Sequence, residues 1–306
     1  MNWKAPALAL ALLIPATTVA AALDEPAVVA KIKVGLGPCL MEAAFGYVWV
    51  ANNAGSTLTR VNPQTNRARG GLRVGDNPCG VAAGAGSIWV DGFGTGRIER
   101  VNPVTLKIVR RIKVGPNVWD VAFSFGSVWA SNNFDGTVSR INPRTNRVVA
   151  TIKTGGAPAN FAVVGGHLWM GSNGRNDTFV FRIDPATNKA TRVQVNGTAP
   201  DGLATDGTEL WSVNRGSGTI SRIDTETNVV TAQVQVGRLP TSGVITPDGL
   251  VWIPNTGDGT ISIVDPAANA VVRTLTVGKG PYPLRLLYGD VWVPNGGGND
   301  VWRIRP

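Results

Sequence analysis

The chain is built from short apolar segments separated by turn sequences, and no stretch has the spacing of an amphipathic helix. In the clearest unit the apolar segments predict four strands, near residues 120–123, 127–131, 137–141 and 148–154. The turn before the last strand reads Asn-Pro-Arg-Thr-Asn, in which proline fixes φ and the final asparagine can adopt a positive φ. Apolar residues on both faces of several strands are expected where each sheet packs between two others. The pattern predicts an all-β protein.

This four-strand unit repeats with a period of about 40 residues. A tryptophan recurs at one place in seven units, at intervals of 40 to 42 residues: Trp49, Trp89, Trp129, Trp169, Trp211, Trp252 and Trp292. Glycines keep the same spacing: Gly35, Gly75, Gly115, Gly155, Gly197, Gly237 and Gly278. Such a period in an all-β chain is typical of propellers, whose blades are four-stranded sheets around a central channel. We expect the tryptophans to pack between blades rather than to bind a ligand.

The two ends of the chain predict how the ring closes. Residues 27–35 match the fourth strand of a unit, whereas residues 300–306 match a third strand. The last blade would therefore combine three C-terminal strands with an N-terminal outer strand at about 27–34, which ties down both chain ends. We predict a single seven-bladed β-propeller domain over residues 23–306, with four antiparallel strands in each blade.

Residues 1–22 have the pattern of a secretory signal peptide. Lys4 gives a positive start, residues 5–19 form an apolar run, and three alanines at 20–22 supply small residues for cleavage. The alternative is that this segment forms a first strand or helix of the fold. No run of 18 apolar residues is present, so we expect no membrane span. These features predict a secreted or periplasmic protein.

Composition restricts the chemistry that the chain can perform. Its 306 residues include one histidine and two cysteines, which leaves little material for metal binding or nucleophilic catalysis. No phosphate-binding loop, dinucleotide fingerprint, nucleophile elbow or His/Cys metal spacing occurs. Loops such as 255–259 have the composition of calcium loops but lack the spacing of an EF-hand. We therefore assign no cofactor, because bound Mg²⁺ or Ca²⁺ would have no supporting motif.

Two irregularities of the repeat indicate how blades are joined. Cys39 and Cys79 follow equivalent prolines at the inner ends of adjacent blades, and an oxidising compartment favours a disulfide over free thiols or soft-metal ligands. Glu42 stands where the next four units have alanine, and Arg285 occupies that position in the seventh. Since blades one and seven are neighbours in a closed ring, we predict a ring-closing ion pair between them. A catalytic role for Glu42 is the alternative.

The repeats resemble two kinds of known propeller. Segments such as VWASNNFDGTVSRINPRTNRVVATIKTG resemble YVTN-type repeats, which are found in exported bacterial proteins. The P-x-G-x-A pattern, followed by a tryptophan strand and an S-R-I strand, is similar to streptogramin B (virginiamycin B) lyase-like propellers. That resemblance implies an elimination reaction with Mg²⁺ and a histidine base in the central cleft. The matching positions in this chain are neither histidine nor glutamate, and His167 is expected on the opposite face, so the lyase mechanism is not supported.

A ligand is expected at the face formed by the fourth-to-first and second-to-third strand loops, around the channel mouth. The candidate ligand-binding residues on this face are Trp119, Asp120, Asn160, Asp201, Tyr282, Asp91, Arg215, Arg175 and Asp177. Their mixture of aromatic, carboxylate, amide and guanidinium groups suits a polar small molecule, a glycan or a peptide. Ordinary solvation of the loops is the alternative for each residue taken singly.

Basic residues concentrate on the predicted fourth strands, at the outer perimeter of the disc, and the formal net charge is +9. Charges on an edge strand discourage pairing between molecules. The alternative is contact with an anionic envelope surface or an acidic partner. Because aromatic residues do not alternate with these charges, we expect no nucleic-acid binding.

These observations predict a monomeric binding or scaffold protein whose partner is a polar small molecule, a glycan or an envelope protein. The alternative is a streptogramin B lyase-like enzyme with a divergent active site, which would perform a metal-assisted elimination or hydrolysis.

Overall fold

The computed structural model describes Met1 and residues 25–306 of the chain. Apart from Met1, the predicted signal peptide over residues 1–22 lies outside the described residues. The described part forms seven antiparallel sheets of four strands each. The prediction of a seven-bladed all-β propeller is therefore confirmed. Across residues 25–306 there is no helix with the length and apolar character needed to cross a membrane.

Six blades use four consecutive strands, which follow one another from the channel to the perimeter. Blade one consists of β2 (Pro38–Ala44), β3 (Tyr47–Asn52), β4 (Thr57–Asn62) and β5 (Arg67–Arg73). Blade two consists of β6 (Val81–Gly84), β7 (Ser87–Gly92), β8 (Arg97–Asn102) and β9 (Lys107–Lys113). Blade three consists of β10 (Val118–Ser124), β11 (Ser127–Asn132), β12 (Thr137–Asn142) and β13 (Arg147–Lys153).

The next three blades follow the same order. Blade four consists of β14 (Pro158–Val164), β15 (His167–Ser172), β16 (Phe179–Asp184) and β17 (Lys189–Gln194). Blade five consists of β18 (Gly202–Thr205), β19 (Leu210–Asn214), β20 (Thr219–Asp224) and β21 (Val229–Gln235). Blade six consists of β22 (Val244–Ile245), β23 (Val251–Asn255), β24 (Thr260–Asp265) and β25 (Ala270–Thr276).

Blade seven closes the ring with strands from both ends of the chain. Its strands are β26 (Arg285–Leu287), β27 (Asp290–Asn295), β28 (Asp300–Arg305) and β1 (Ala27–Lys33). The N-terminal strand β1 pairs antiparallel with β28, from Ala27 opposite Arg305 to Lys33 opposite Asp300. This is the predicted closure, in which the N-terminal strand becomes the outer strand of the last blade.

The repeating tryptophans pack between neighbouring blades, as expected. All seven are at most 1% exposed. Trp49 of blade one, for example, shares a core cluster with Val81 and Ile88 of blade two. Burying so large a side chain contributes roughly 1.5–3 kcal/mol relative to leaving it exposed, so seven such contacts account for much of the cohesion of the ring.

An arginine opposite most of these tryptophans also joins adjacent blades. Arg100 lies over the ring of Trp89, with the guanidinium carbon 4.9 Å from the ring centroid. Its Nη1 donates to the backbone oxygen of Pro143 at 2.8 Å and to Asn146 Oδ1 at 2.9 Å, both in the turn of the next blade. Equivalent bonds run from Arg140 to Pro185 and Asn188, and from Arg303 to Pro63 and Asn66. The S-R-I and N-P-x-T-N segments of the repeat are thus two halves of one contact between blades.

Five of the seven repeating glycines mark a close approach between a loop and a buried asparagine; the exceptions are Gly75 and Gly155. Asn132 donates from Nδ2 to the hydroxyl oxygens of Thr137 and Ser139, each at 2.9 Å, and its Oδ1 accepts from the Gly115 N–H at 3.1 Å. A Cβ atom on Gly115 would lie 2.6 Å from Asn132 Cγ, so no larger residue fits without displacing the amide. The asparagines that follow the tryptophan strands are therefore structural.

Cys39 and Cys79 form a disulfide bond, which confirms the prediction from the sequence. Their Cα atoms are 5.1 Å apart, and the bond joins the inner ends of blades one and two. The Leu40 N–H also donates to the backbone oxygen of Cys79 at 3.2 Å, so the covalent link lies beside a hydrogen bond between the same blades.

Candidate ligand-binding site at the channel mouth

A chain of hydrogen bonds crosses the central channel and divides it. Trp119 Nε1 donates to Asn160 Oδ1 at 3.0 Å, and Asn160 Nδ2 donates to Ser242 Oγ at 3.0 Å. Ser242 Oγ also accepts from the Leu203 N–H at 3.1 Å, so blades three to six all contribute. We call Trp119, Asn160 and Ser242 the cross-brace. Within residues 25–306, the cavities on its two sides have no lining residue in common.

The mouth cavity lies on the side of the fourth-to-first strand loops and has a volume of about 510 Å³. Its walls include three aromatic side chains, Phe93, Trp119 and Tyr282, and its floor includes the disulfide. Phe93 and Trp119 meet edge to face, with ring centroids 6.0 Å apart. Tyr282 is 37% exposed, so its ring is available to a ligand. This volume is within the usual range for small-molecule sites.

A polar recess of about 110 Å³ continues from the mouth cavity. It is bounded by Asn160, Asp201, Arg215 and Thr241, and shares Trp119 and Tyr282 with the larger cavity. Arg215 Nε is 3.9 Å from Asp201 Oδ2, which is a loose ion pair. Among the described residues neither Asp201 Oδ1 nor Thr241 Oγ1 has a hydrogen-bond partner, although both are buried. Such groups are uncommon and costly in proteins, so the recess has unused hydrogen-bonding capacity.

Asp201 has an unusual electrostatic environment. Burial raises the pKa of Asp201 to about 7, even though the Arg215 guanidinium acts to lower it. The carboxyl group therefore exchanges its proton near neutral pH. It can accept a hydrogen bond as the carboxylate, and it can donate one as the acid.

The structure brings five of the nine candidate binding residues together at the mouth. Those that line the mouth cavity or its recess are Trp119, Asn160, Asp201, Arg215 and Tyr282. Four of them come from the first strands or the loops that lead into them, and Arg215 comes from the loop after the second strand of blade five. They belong to blades three, four, five and seven, which explains why they are dispersed in the sequence. Their convergence on one concave surface is a property of the closed ring.

The other four candidates lie elsewhere. Asp91 is fully buried, and its Oδ1 accepts the Cys79 N–H at 2.7 Å. Asp120 lies on the far side of the cross-brace, where its two oxygens accept from the Val121 N–H at 2.8 Å and the Phe161 N–H at 3.0 Å. Arg175 is exposed on the blade-four loop, and Asp177 is held within that loop by a hydrogen bond from the Ser172 hydroxyl. None of these four lines the mouth cavity or the recess.

Sequence reasoning missed five polar or aromatic wall residues, Asn53, Asn77, Phe93, Asn173 and Thr241. Asn53 and Phe93 directly follow the second strand of their blades, which is the position that Arg215 occupies in blade five. Thr241 is equivalent to Cys39 at the start of the first strand. Asn173 likewise follows the second strand of blade four. Comparing these two variable positions in all seven units would have found every missed residue except Asn77, which precedes the first-strand proline of blade two.

On the other side of the cross-brace lies the inner cavity, of about 540 Å³, which is lined by the inner strands of all seven blades. Glu42 and Arg285 are both on its wall, in equivalent registers opposite Trp49 and Trp292. The ion pairs within 4.0 Å among the described residues do not include this pair. Arg285 Nη1 donates to the Leu284 backbone oxygen at 3.1 Å. Burial raises the pKa of Glu42, while Arg285 acts at a distance to lower it.

The described residues contain no group of three or more His, Cys, Asp or Glu side chains arranged to hold a metal ion. His167 lies at the turn between the first and second strands of blade four, which is the face opposite the mouth. Its Nδ1 is 2.7 Å from the Gly165 backbone oxygen, and its Nε2 is 2.9 Å from Arg182 Nη2. His167 therefore lies at the end of blade four that is opposite the mouth, and it does not line the mouth cavity.

Comparison with known proteins identifies the fold. No family model and no curated protein matches the chain. A streptogramin B lyase structure superposes with a TM-score of 0.78 at 15% identity, covering 90% of this chain and 96% of that one. A virginiamycin B lyase from Staphylococcus aureus gives 0.78 at 14% identity, with coverage of 92% and 100%. In fold, the chain is similar to the streptogramin B lyase propellers.

This fold is shared by proteins with other activities. Hydrazine synthase from Kuenenia stuttgartiensis superposes with a TM-score of 0.77 at 16% identity, covering 90% of this chain and 97% of that chain. At such identities the likeness shows the architecture alone, and the function must be argued from the site.

Proposed function

We propose that the protein is an exported, monomeric binding or scaffold protein that recognises a polar ligand, or an exposed part of a glycan or envelope protein, at the mouth cavity. The convergence of Trp119, Tyr282 and Phe93 on one cavity beside a polar recess carries this proposal. Aromatic faces would stack against flat or apolar parts of the ligand, and the recess would bind its polar groups. The disulfide supports an oxidising compartment.

The polar recess would give the site its selectivity. Asp201 and Arg215 are far enough apart, at 3.9 Å, for a ligand group to bond to both without first breaking a close ion pair. Asn160 Oδ1 and Nδ2 are already used by the cross-brace, so the amide is held in a fixed orientation at the back of the recess. A ligand with adjacent donor and acceptor groups, such as a sugar or a peptide bond, fits this arrangement.

The proposal can be tested with two matched tyrosine variants. Tyr282 and Tyr288 lie at opposite ends of the blade-seven inner strand, and both are exposed, by 37% and 48%. Binding of chitotetraose, a tetraalanine peptide and a streptogramin B would be measured by calorimetry and thermal shift. We expect a probe that binds the wild type to bind Tyr282→Ala about tenfold more weakly, and Tyr288→Ala unchanged. Equal effects of both variants on binding would refute the site.

A second candidate function, a streptogramin B lyase-like enzyme, is favoured by one observation. Asp201 has a pKa of about 7 beside an aromatic cavity, and such a carboxylate can accept a proton at neutral pH. Incubation with a streptogramin B followed by mass spectrometry would detect a linearised product. Turnover that is lost in Asp201→Asn, with binding retained, would establish the enzyme and replace the binding-protein proposal.

The basic perimeter would provide a further contact with an anionic surface. The outer strand of blade two carries exposed Lys107, Arg110, Arg111 and Lys113, of which Arg111 pairs with Glu99 at 3.0 Å. Retention on a polyglutamate matrix should fall as salt is raised, because salt screens the attraction between exposed charges. At physiological ionic strength, charges more than about 8 Å apart are already largely screened. Arg110→Glu should weaken retention more than Arg175→Glu, and equal retention of the two variants would contradict a role for this strand.

A further inference from the structure

The inner cavity has the features of a second, separate binding site. Its wall combines charged and hydroxyl groups with apolar side chains such as Phe123, Phe161 and Leu203. It is bounded by residues at the C-terminal ends of inner strands, such as Val163 and Thr205, so it faces the end of the channel opposite the mouth. A volume of about 540 Å³ is large enough for a small organic ligand.

Three charged side chains on the inner strands line this cavity, namely Glu42, Asp120 and Arg285. A fourth, Asp206, lies just after β18, where its Oδ1 accepts the Thr208 and Glu209 N–H groups. Asp120 stands one level nearer the cross-brace than Glu42 and Arg285, in blade three. The positive charge of Arg285 acts to lower the pKa of both Glu42 and Asp120, so all three lie within electrostatic range of one another. Two carboxylates and one guanidinium are thus held together on the inner strands, and the Asp206 carboxylate lines the same cavity.

These charges are only partly satisfied within the protein. Among the described residues, Arg285 donates one hydrogen bond, from Nη1 to the Leu284 backbone oxygen at 3.1 Å. Glu42 Oε1 accepts one, from the Ala43 N–H at 3.1 Å. The guanidinium therefore has donors to spare, and the carboxylate has acceptor capacity to spare.

At one register of the inner strands, blades one and seven carry charged residues where most of the other blades carry alanine. At the register of Glu42 and Arg285, blades two to four carry Ala82, Ala122 and Ala162, which leave the space open. Ring closure is supplied elsewhere, by β1 pairing with β28 and by the bonds of Arg303 to blade one. The ring therefore closes without a direct ion pair between Glu42 and Arg285.

We propose that the inner cavity binds a zwitterionic ligand with an apolar side chain, in the size range from an amino acid to a short peptide. The ligand carboxylate would bond to the Arg285 guanidinium, and its ammonium group would bond to Glu42 within the field of Asp120. The apolar part would lie against Phe123, Phe161 and Leu203. Paired opposite charges in a confined site favour a ligand that carries both charges over one that carries either alone. This inference does not rest on the mouth site.

The first test uses the wild-type propeller, residues 23–306, and needs no variant. Calorimetric titration would compare trileucine with N-acetyl-trileucine, which lacks the ammonium group, and with trileucine amide, which lacks the carboxylate. We expect trileucine to bind, and each blocked peptide to bind at least about tenfold more weakly, since a charge-assisted hydrogen bond is lost in each case. Absence of trileucine binding, or equal binding of the three peptides, would overturn the proposal.

The second test locates the site. Arg285→Gln and Glu42→Gln should each weaken trileucine binding about tenfold, whereas Arg285→Lys should retain most of it and Tyr282→Ala should not change it. Thermal unfolding of each variant would show that it is folded. Loss of trileucine binding in Tyr282→Ala, with Arg285→Gln unaffected, would place the peptide at the mouth and refute the inner site.

Discussion

The pKa of Asp201 makes a quantitative prediction about how stability depends on pH. Burial raises it from the ordinary value of 3.8 to about 7 in the folded protein. Because the folded pKa is the higher one, the folded state binds the proton more tightly, and stability is lost as pH rises between these two values. Asp201→Asn removes this titration, so the variant should become progressively more stable than the wild type over the same range and keep its advantage above pH 7.

The size of the effect follows from the shift. A difference of about three pKa units corresponds to an upper limit of about 4 kcal/mol, at about 1.36 kcal/mol per unit. The Arg215 side chain is 29% exposed and can approach Asp201 from 3.9 Å, which would reduce the penalty. We therefore expect the stability difference between Asp201→Asn and the wild type to grow by about 2–4 kcal/mol from pH 4 to pH 8.

Equilibrium urea denaturation at pH 4, 6 and 8 would measure this difference, with equal m-values for the two proteins as the check on two-state behaviour. Asp184→Asn is the matched control. Hydrogen bonds from the Ala186 N–H and from Thr187 hold the pKa of Asp184 below its usual value, and the residue lies on an exposed turn. Its replacement should give no gain that grows above pH 4. A stability difference for Asp201→Asn that stays constant with pH would refute the assigned environment of this carboxyl group.

Three further predictions concern the scaffold. Arg303→Met should lower the free energy of unfolding by about 3–5 kcal/mol in urea denaturation, because it leaves Asp290, whose side chain is 7% exposed, without its partner; the Asp290→Asn double variant should recover part of the loss, and no recovery would contradict this reason. Gly115→Ala should cost about 1–3 kcal/mol in the same assay, since its Cβ would overlap a buried amide; a neutral result would show that the amide can move. Reduction of the Cys39–Cys79 bond should cost about 2–5 kcal/mol, and an unchanged melting temperature in dithiothreitol would show that the link is dispensable.

The architecture could be predicted from the sequence because every blade repeats the same short pattern of apolar and turn residues. The period placed seven tryptophans on second strands, and matching the two termini to parts of one unit gave the closure at β1 and β28. The strands predicted for blade three agree with β10 to β13 to within two residues at each end. Turn residues and apolar patterning act over short distances, so they can be interpreted without knowledge of the tertiary structure.

The depth of each inner residue in the channel could not be predicted in the same way. Trp119 and Asp120 are adjacent and were both expected at the mouth, yet Trp119 lines the mouth cavity whereas Asp120 lines the inner cavity beyond the cross-brace. The reason is a register shift between Val118 and Asp120, where the inner strand bulges and its alternation of faces is interrupted. A bulge of this kind depends on how the strand packs against its neighbours, so it cannot be predicted from the apolar pattern of the sequence.

The contrast between regular and irregular positions also indicates where function is located. The residues that hold the blades together, such as Trp129, Arg140 and Asn132, stand at positions where most of the units carry the same residue type. By contrast, the position just after the first-strand proline carries a different residue type in most units: Cys39, Cys79, Trp119, Ala159, Asp201, Thr241 and Tyr282. Six of these seven side chains, all but Ala159, line the mouth cavity or its recess, and the Cys39–Cys79 disulfide also joins two blades there. The repeat thus places most contacts between blades at its constant positions, and the positions that vary lie at the two ends of the channel, where both proposed sites are.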